Sequence, residues 1–277
     1  MLYSQDTIVA FATPASSGAV ALLRVSGGQS LSILQTLTKR TNLLPRQAHF
    51  VKVYDGDNVL DTALALYFKA PKSYTGEDSF ELSIHASPYI KSRLLEIVCS
   101  LGARIAKPGE YTQRAFLSGK MDLAQAQGVA DIIASKNKSA HSAAMNILGG
   151  RLSQEFKQIR QTLADLLAQI EVRIDDVDDE MQPLSQKEVA TYLNPITNKV
   201  HNLAETFSSG RLIKDGIKVA LCGLSNAGKS SLLNKLLGYN RAIVSAKCGT
   251  TRDTLEAPLM VKGYQLMLVD TAGIRAT

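Results

Sequence analysis

The first 120 residues alternate short apolar runs with turn residues. Ile8-Val9-Ala10 and Ala19-Val20-Ala21-Leu22-Leu23 read as buried strands. Phe50 to Tyr54 and Val59 to Phe68 flank Asp55-Gly56-Asp57-Asn58, residues that tolerate left-handed backbone, so a hairpin is expected. Phe80 to His85 alternates apolar and polar positions. Ile90, Leu94, Leu95, Val98 and Leu101 follow helical spacing, and Gly102 sits where a C-terminal cap belongs. This pattern predicts an N-terminal α+β domain over residues 1–120.

From 121 to 215 the period changes to that of a helix. Leu152, Phe156, Ile159, Leu163, Leu166, Ile170 and Ile174 step by three and four and form one stripe on a long helix. Val189, Leu193, Ile196, Val200, Leu203 and Phe207 form a second stripe. Pro195 interrupts it, because proline gives no N–H and clashes with the preceding turn, so a kink or break is expected there. Between the stripes, Asp175-Asp176-Val177-Asp178-Asp179-Glu180 puts five acids in six residues. Such a run reads as a solvated interhelical loop, with a divalent-ion site as the alternative.

From 216 to 277 the pattern turns again. Ile217 to Cys222 is apolar apart from Lys218, as a buried parallel strand should be. Lys229 to Leu237 reads as a helix closed by Gly238. Leu255, Ala257, Leu259 and Val261 alternate, Gly263 turns the chain, and Gln265 to Val269 returns as a strand. Strand, loop, helix and two-strand ribbon make the opening half of an α/β nucleotide-binding domain, so three domains are expected: α+β, α-helical, and a partial α/β one.

Composition sharpens this only slightly. The 277 residues carry 31 Lys+Arg against 25 Asp+Glu, a net charge of +6, which suits a nucleotide or RNA partner without requiring one. With 45% hydrophobic and 20% charged residues, disorder of the whole chain is excluded. No apolar run reaches about 18 residues, so no membrane helix is expected. The start, MLYSQDTIVAF, lacks a basic segment before an apolar one, which argues against a secretory signal. Cys99, Cys222 and Cys248 match no zinc spacing and are expected as free thiols in a reducing cytoplasm.

The sharpest chemical signal is Gly223-Leu224-Ser225-Asn226-Ala227-Gly228-Lys229-Ser230, which fits G-x-x-x-x-G-K-[ST]. Its glycines let backbone N–H groups face phosphate oxygens, and the next helix adds its positive dipole end. Lys229 should reach the β- and γ-phosphates and Ser230 should ligate Mg²⁺. Asp270-Thr271-Ala272-Gly273 follows an apolar strand. There an aspartate can order magnesium's water shell and the Gly273 N–H can sense the γ-phosphate. Between them, Gly249-Thr250-Thr251-Arg252-Asp253 offers a threonine hydroxyl that could complete the Mg²⁺ shell as a switch.

Together these three motifs resemble translation-factor-type GTPases. Four N-terminal segments narrow the resemblance: Asp6-Thr7-Ile8-Val9-Ala10; Ser73-Tyr74-Thr75-Gly76-Glu77-Asp78; Lys107-Pro108-Gly109-Glu110-Tyr111 with Arg114-Ala115-Phe116-Leu117; and Lys120-Met121-Asp122-Leu123-Ala124-Gln125-Ala126. Over essentially all 277 residues the chain resembles the tRNA-modification GTPases of the MnmE (TrmE) family.

That resemblance implies a folate-binding, dimerising N-terminal domain and a helical domain into which a G domain is inserted. It implies a cytoplasmic homodimer. With an FAD-dependent MnmG-type partner, the homodimer would place a carboxymethylaminomethyl group on C5 of the tRNA wobble uridine. Arg24, Glu81 and Lys120 match the family's positions for 5-formyl-tetrahydrofolate, where cations suit the glutamate tail and an acid suits pterin N–H groups. GTP would meet Asn226, Ala227, Gly228, Lys229, Ser230, Ser231, Ser245, Thr250, Thr251, Asp270, Thr271, Ala272 and Gly273. Lys229, Thr251 and Asp270 would act in hydrolysis, with Ser230 and Thr251 on Mg²⁺. Asn226, Ser245, Lys247 and Thr250 would surround K⁺, which neutralises charge developing between the phosphates.

The chain departs from the family pattern in places. Ser225 stands where proline is usual, His85-Ala86-Ser87 replaces H-G-G, and Ile174 to Glu180 replaces I-D-F-P-[DE]-E. The family also continues past Thr277 with its guanine-reading motif and returning helices. The resemblance therefore implies a C-terminally truncated member that alone binds nucleotide weakly and hydrolyses little. The alternative is a folate-binding dimerisation fragment whose G domain does no chemistry.

Overall fold

The structure is a computed structural model that describes residues 6–16, 18–175, 182–222, 232, 235–236 and 256–270. The chain divides into two compact units, residues 1–126 and 127–277.

The first unit is a six-stranded sheet. Its strands are β1 (Thr7–Phe11), β2 (Val20–Ser26), β3 (Ala48–Asp55), β4 (Asn58–Phe68), β5 (Ser79–His85) and β6 (Ala103–Ile105), in the order β3-β4-β5-β2-β1-β6. All neighbours pair antiparallel except β1 and β6. The expected hairpin is present: β3 and β4 turn at Asp55 and Asn58, with Gly56 at φ +59°. The helices are α1 (Ser30–Thr38), α2 (Pro88–Ser100) and α3 (Glu110–Leu117). Gly102, at φ +101°, follows α2 as anticipated.

Alternation sorts the sheet's two faces. Ala21, Leu23 and Val25 of β2, Ala63, Ala65 and Tyr67 of β4, and Phe80, Leu82 and Ile84 of β5 join Ile33, Leu34 and Leu37 of α1 and Leu94 and Val98 of α2 in one core. The other face carries Val20, Leu22, Arg24 and Ser26 beside His85, Ser83, Glu81 and Ser79, in that register. Gly27 ends β2 at φ +133°. A Cβ there would meet Thr7 Cα at 2.6 Å, so only glycine allows the chain to pass so close to β1.

The loss of glycines at His85-Ala86-Ser87 costs no backbone freedom. Neither Ala86 nor Ser87 has positive φ, Ala86 is buried, and Ser87 is the extended N-cap of α2.

The second unit contains α4 (from Leu123 to Ala134, across the unit boundary), α5 (Lys138–Leu148), α6 (Arg151–Ile174) and α7 (Gln186–Asp215). Its sheet has β7 (Ile217–Leu221), β8 (Glu256–Val261) and β9 (Tyr264–Asp270) in the order β7-β9-β8. The stripe on α6 is only partly covered: Leu166 is buried, but Phe156 and Ile174 are 53% and 75% exposed. The described neighbours of α6 are chiefly α5 and α7, and two helices cannot hide so wide a stripe.

Two expectations need correction: a break at Pro195, the alternative to a kink, and the burial of β7. α7 runs 30 residues through Pro195 as one helix. Proline withholds only one N–H, from the Thr191 carbonyl, and both residues line a groove between α6 and α7 rather than a dry core. β7 is parallel to β9, as expected, but it is not buried: Lys218 and Ala220 are exposed. Val219 and Leu266 pack beside buried Leu259 and Leu268 on one face only, and no described element covers the other. Pro258 sits in β8, at the edge of this sheet among the described residues, where its missing N–H is tolerated.

The junction into this sheet is tied down. Asn137 caps α5 through Ala140 N–H and donates Nδ2–H to the Ile213 carbonyl of α7 at 3.0 Å. Lys214 pairs with Asp131 at 2.8 Å. Gly216 then turns at φ +84° against the Gln265 carbonyl.

Candidate functional site

Arg24 and Glu81 stand directly opposite each other on β2 and β5. Arg24 donates from Nε to Glu81 Oε1 at 2.8 Å, and its NH2 group lies 2.6 Å from the same oxygen. The Tyr74 and Tyr111 rings flank the guanidinium, with centroids 5.5 and 5.7 Å from Cζ. Tyr111 also donates its hydroxyl to the Arg24 carbonyl at 2.6 Å. Burial pushes its phenol above the ordinary range. These groups enclose a cavity of about 80 Å³ with Ser26, Phe68, Thr75 and Ser79. It holds a guanidinium, a carboxylate and aromatic rings in one place.

The wall opposite the sheet is the 73–78 loop, carried by α3. Arg114 of α3 is 3% exposed. It donates to the Asp6 carbonyl and carboxylate at 2.8 and 2.7 Å, to Glu77 at 3.1 and 3.2 Å, and to Glu110 at 3.0 Å. Arg104 of β6 pairs with Glu110 at 2.6 Å and with Asp6. Ser118 donates to the Thr75 carbonyl at 2.6 Å, and Tyr74 meets Thr112 at 3.0 Å between hydroxyls. Two guanidiniums thus hold three carboxylates drawn from the start of β1, the 73–78 loop and α3.

Of the residues expected to bind folate, Arg24 and Glu81 line this cavity together. Lys120 is exposed beside it. Its Cε lies 3.6 Å from where a Cβ on Gly76 would be, so it neighbours the same loop without lining the cavity. Spacing alone did not single out Ser26, Tyr74, Thr75 or Tyr111. Tyr74, Thr75 and Tyr111 have one sequence signal, membership of the Ser73–Asp78 and Lys107–Tyr111 segments, and Ser26 has none.

Asn226, Ala227, Gly228, Lys229, Ser230, Ser231, Ser245, Lys247, Thr250, Thr251, Thr271, Ala272 and Gly273 lie outside the described residues, as do Cys248 and most of the acidic run after Asp175. Asp270 ends β9. The backbone still relates the two nucleotide motifs: β7 and β9 run parallel with Leu221 opposite Asp270, so both motifs leave neighbouring strands at the same sheet end. Among the described residues no three His, Cys, Asp or Glu gather as a metal site, and no helix is long and apolar enough to cross a membrane. Cys99 and Cys222 are free thiols.

A pocketed sheet domain followed by a helical domain defines the class of protein. Residues 7–120 match the family described as the GTP-binding protein TrmE N-terminus, and residues 123–271 match the MnmE helical domain. The chain belongs to the MnmE family. It is 42% identical over 275 residues to the tRNA modification GTPase MnmE of Aquifex aeolicus, covering 99% of this chain and 61% of that protein. It is 41% identical over 278 residues to that of Christiangramia forsetii, covering 98% and 59%. It is 41% identical over 281 residues to that of Bacteroides fragilis strain YCH46, covering 99% and 60%. The chain therefore spans about 60% of the length of these curated relatives.

The acid cluster sets a pH dependence. Hydrogen bonding from Arg104, opposed by burial and helped by Lys107 N–H and Arg114, lowers the Glu110 pKa from 4.5 to about 2. A lowered folded-state value stabilises above the unfolded value and is lost as pH falls from 4.5 toward 2. Urea midpoints should fall across that window. Glu110→Gln should be less stable at pH 7 and vary less from pH 4.5 to 2. An identical pH profile for variant and parent would contradict this.

Proposed function

We propose that this chain is the folate-holding and helical part, with the opening of the G domain, of a cytoplasmic tRNA-modifying GTPase. With an FAD-dependent MnmG-type partner it would serve carboxymethylaminomethylation of the wobble uridine C5. The observation that carries this reading is the Arg24–Glu81 pair between two tyrosines, inside the region matching the TrmE N-terminus. The donor set suits 5-formyl-tetrahydrofolate. Glu81 accepts from pterin N–H groups, tyrosine rings stack on the heterocycle, and Arg24 and Lys120 attract the glutamate carboxylates. When bound, the folate supplies a one-carbon unit.

The cavity of about 80 Å³ is smaller than the ~300 Å³ of an ordinary ligand site. Entry therefore displaces a wall. Tyr74, 38% exposed and tethered through Thr112, is the wall residue with most freedom. On the nucleotide side, Lys229, Ser230, Thr251 and Asp270 would serve GTP and Mg²⁺, and Asn226, Ser245, Lys247 and Thr250 would serve K⁺. The parallel pairing of β7 with β9 supports this placement of the two motifs.

Calorimetric titration of the 277-residue chain with 5-formyl-tetrahydrofolate tests the pocket. Binding is expected without GTP, and Arg24→Ala should weaken it at least about tenfold through loss of a charge-assisted contact. Equal affinity for variant and parent would remove Arg24 from the site.

The sheet face beyond the pocket supports a homodimer. Val20, Phe50 and Leu64 are 59%, 66% and 50% exposed on the face that α1 and α2 leave bare. Sedimentation of the parent should show a dimer and that of Leu64→Glu a monomer. A dimer that persists unweakened would place the interface elsewhere.

A further inference from the structure

Two residues that line the cavity, Ser26 and Thr75, carry hydroxyls whose protons are already committed. Ser26 Oγ lies 2.7 Å from Glu77 Oε2 and 2.7 Å from Thr75 Oγ1. Ser26 and Thr75 are 0% and 1% exposed. Glu77 faces the Arg114 guanidinium at 3.1 Å, and a carboxylate so paired only accepts. Ser26 has one proton, and the Glu77 contact uses it. The Ser26–Thr75 contact must then use the Thr75 proton. Thr75 Oγ1 meanwhile accepts from the Glu77 N–H at 3.3 Å. Donation runs one way, from Thr75 to Ser26 to Glu77. Both residues line the cavity with Glu81, and each hydroxyl oxygen, its proton spent, keeps one acceptor position.

From this we infer that Ser26 and Thr75 are specificity residues, and that the pocket selects a heterocycle by an edge rich in N–H donors. In a reduced pterin that edge is the 2-amino group with the adjacent ring N–H. A ring of the same shape carrying a methyl group there leaves buried acceptors unpaired, which sites of this kind reject. Arg114 and Glu77 are positioning residues: they touch no ligand and fix the direction of the two hydroxyls. The inference rests on the folate reading and narrows it to the part of the ligand that is recognised.

The test titrates the 277-residue chain with 5-formyl-tetrahydrofolate and with its analogue bearing a 2-methyl in place of the 2-amino group. The parent should prefer the amino compound at least about tenfold. Thr75→Val, of nearly equal shape, and Ser26→Ala should each shrink that ratio to within about threefold, whereas Thr75→Ser should keep it. The ratio is the deciding readout, since a merely structural defect weakens both compounds alike. Melting curves show which variants fold, and Thr75→Val alone decides if Ser26→Ala does not. An unchanged ratio in the folded variants, or a parent that binds both compounds equally, overturns the inference and leaves the folate reading standing. A parent that binds neither compound overturns the folate reading and this inference with it.

Discussion

The pocket depends on one buried guanidinium. Arg114 gathers Asp6, Glu77 and Glu110, which lie in three separate stretches of the chain, and is itself almost wholly hidden. Removing such a charge from water is costly, and only near-complete pairing compensates. That requirement determines where the 73–78 loop and α3 can sit relative to β1. The cavity over Arg24 and Glu81 is the space left between the loop, the helix and the open face of the sheet. Acids in this protein therefore have two roles. Glu77 and Glu110 build the wall, while Glu81 faces inward with a basic partner of its own.

The core beneath follows ordinary alternation. Period-two runs give β1 to β5, and one face of each enters a single apolar layer beneath α1 and α2. The hairpin was legible because Gly56 adopts the left-handed backbone its turn requires. α1 was not, because Ser30, Ser32 and Thr36 dilute its apolar stripe. A break at Pro195 did not follow, because a rule about a missing N–H says nothing about what surrounds the helix. β7 misled because an apolar run records what a strand can bury, while burial itself depends on what packs against the strand.

The pocket was legible only in part. Arg24 and Glu81 are 57 residues apart, and no spacing rule joins them. The family resemblance singles them out, and strand register makes them cross-strand partners. Tyr74, Thr75 and Ser26 escaped because their roles are relational: Thr75 matters through a contact 49 residues away in sequence. The phosphate-loop signature is specific, yet what the backbone adds is the parallel pairing that starts both nucleotide motifs from one sheet end.

The most direct measurement is hydrogen exchange on Arg114→Met, read residue by residue beside titration with 5-formyl-tetrahydrofolate. If Arg114 holds the wall, amides of the 73–78 loop and of α3 should exchange faster while those of β2 and β5 stay protected, and folate affinity should fall together with loop protection. Unchanged protection in the loop and α3, with parent-like affinity, would contradict the account.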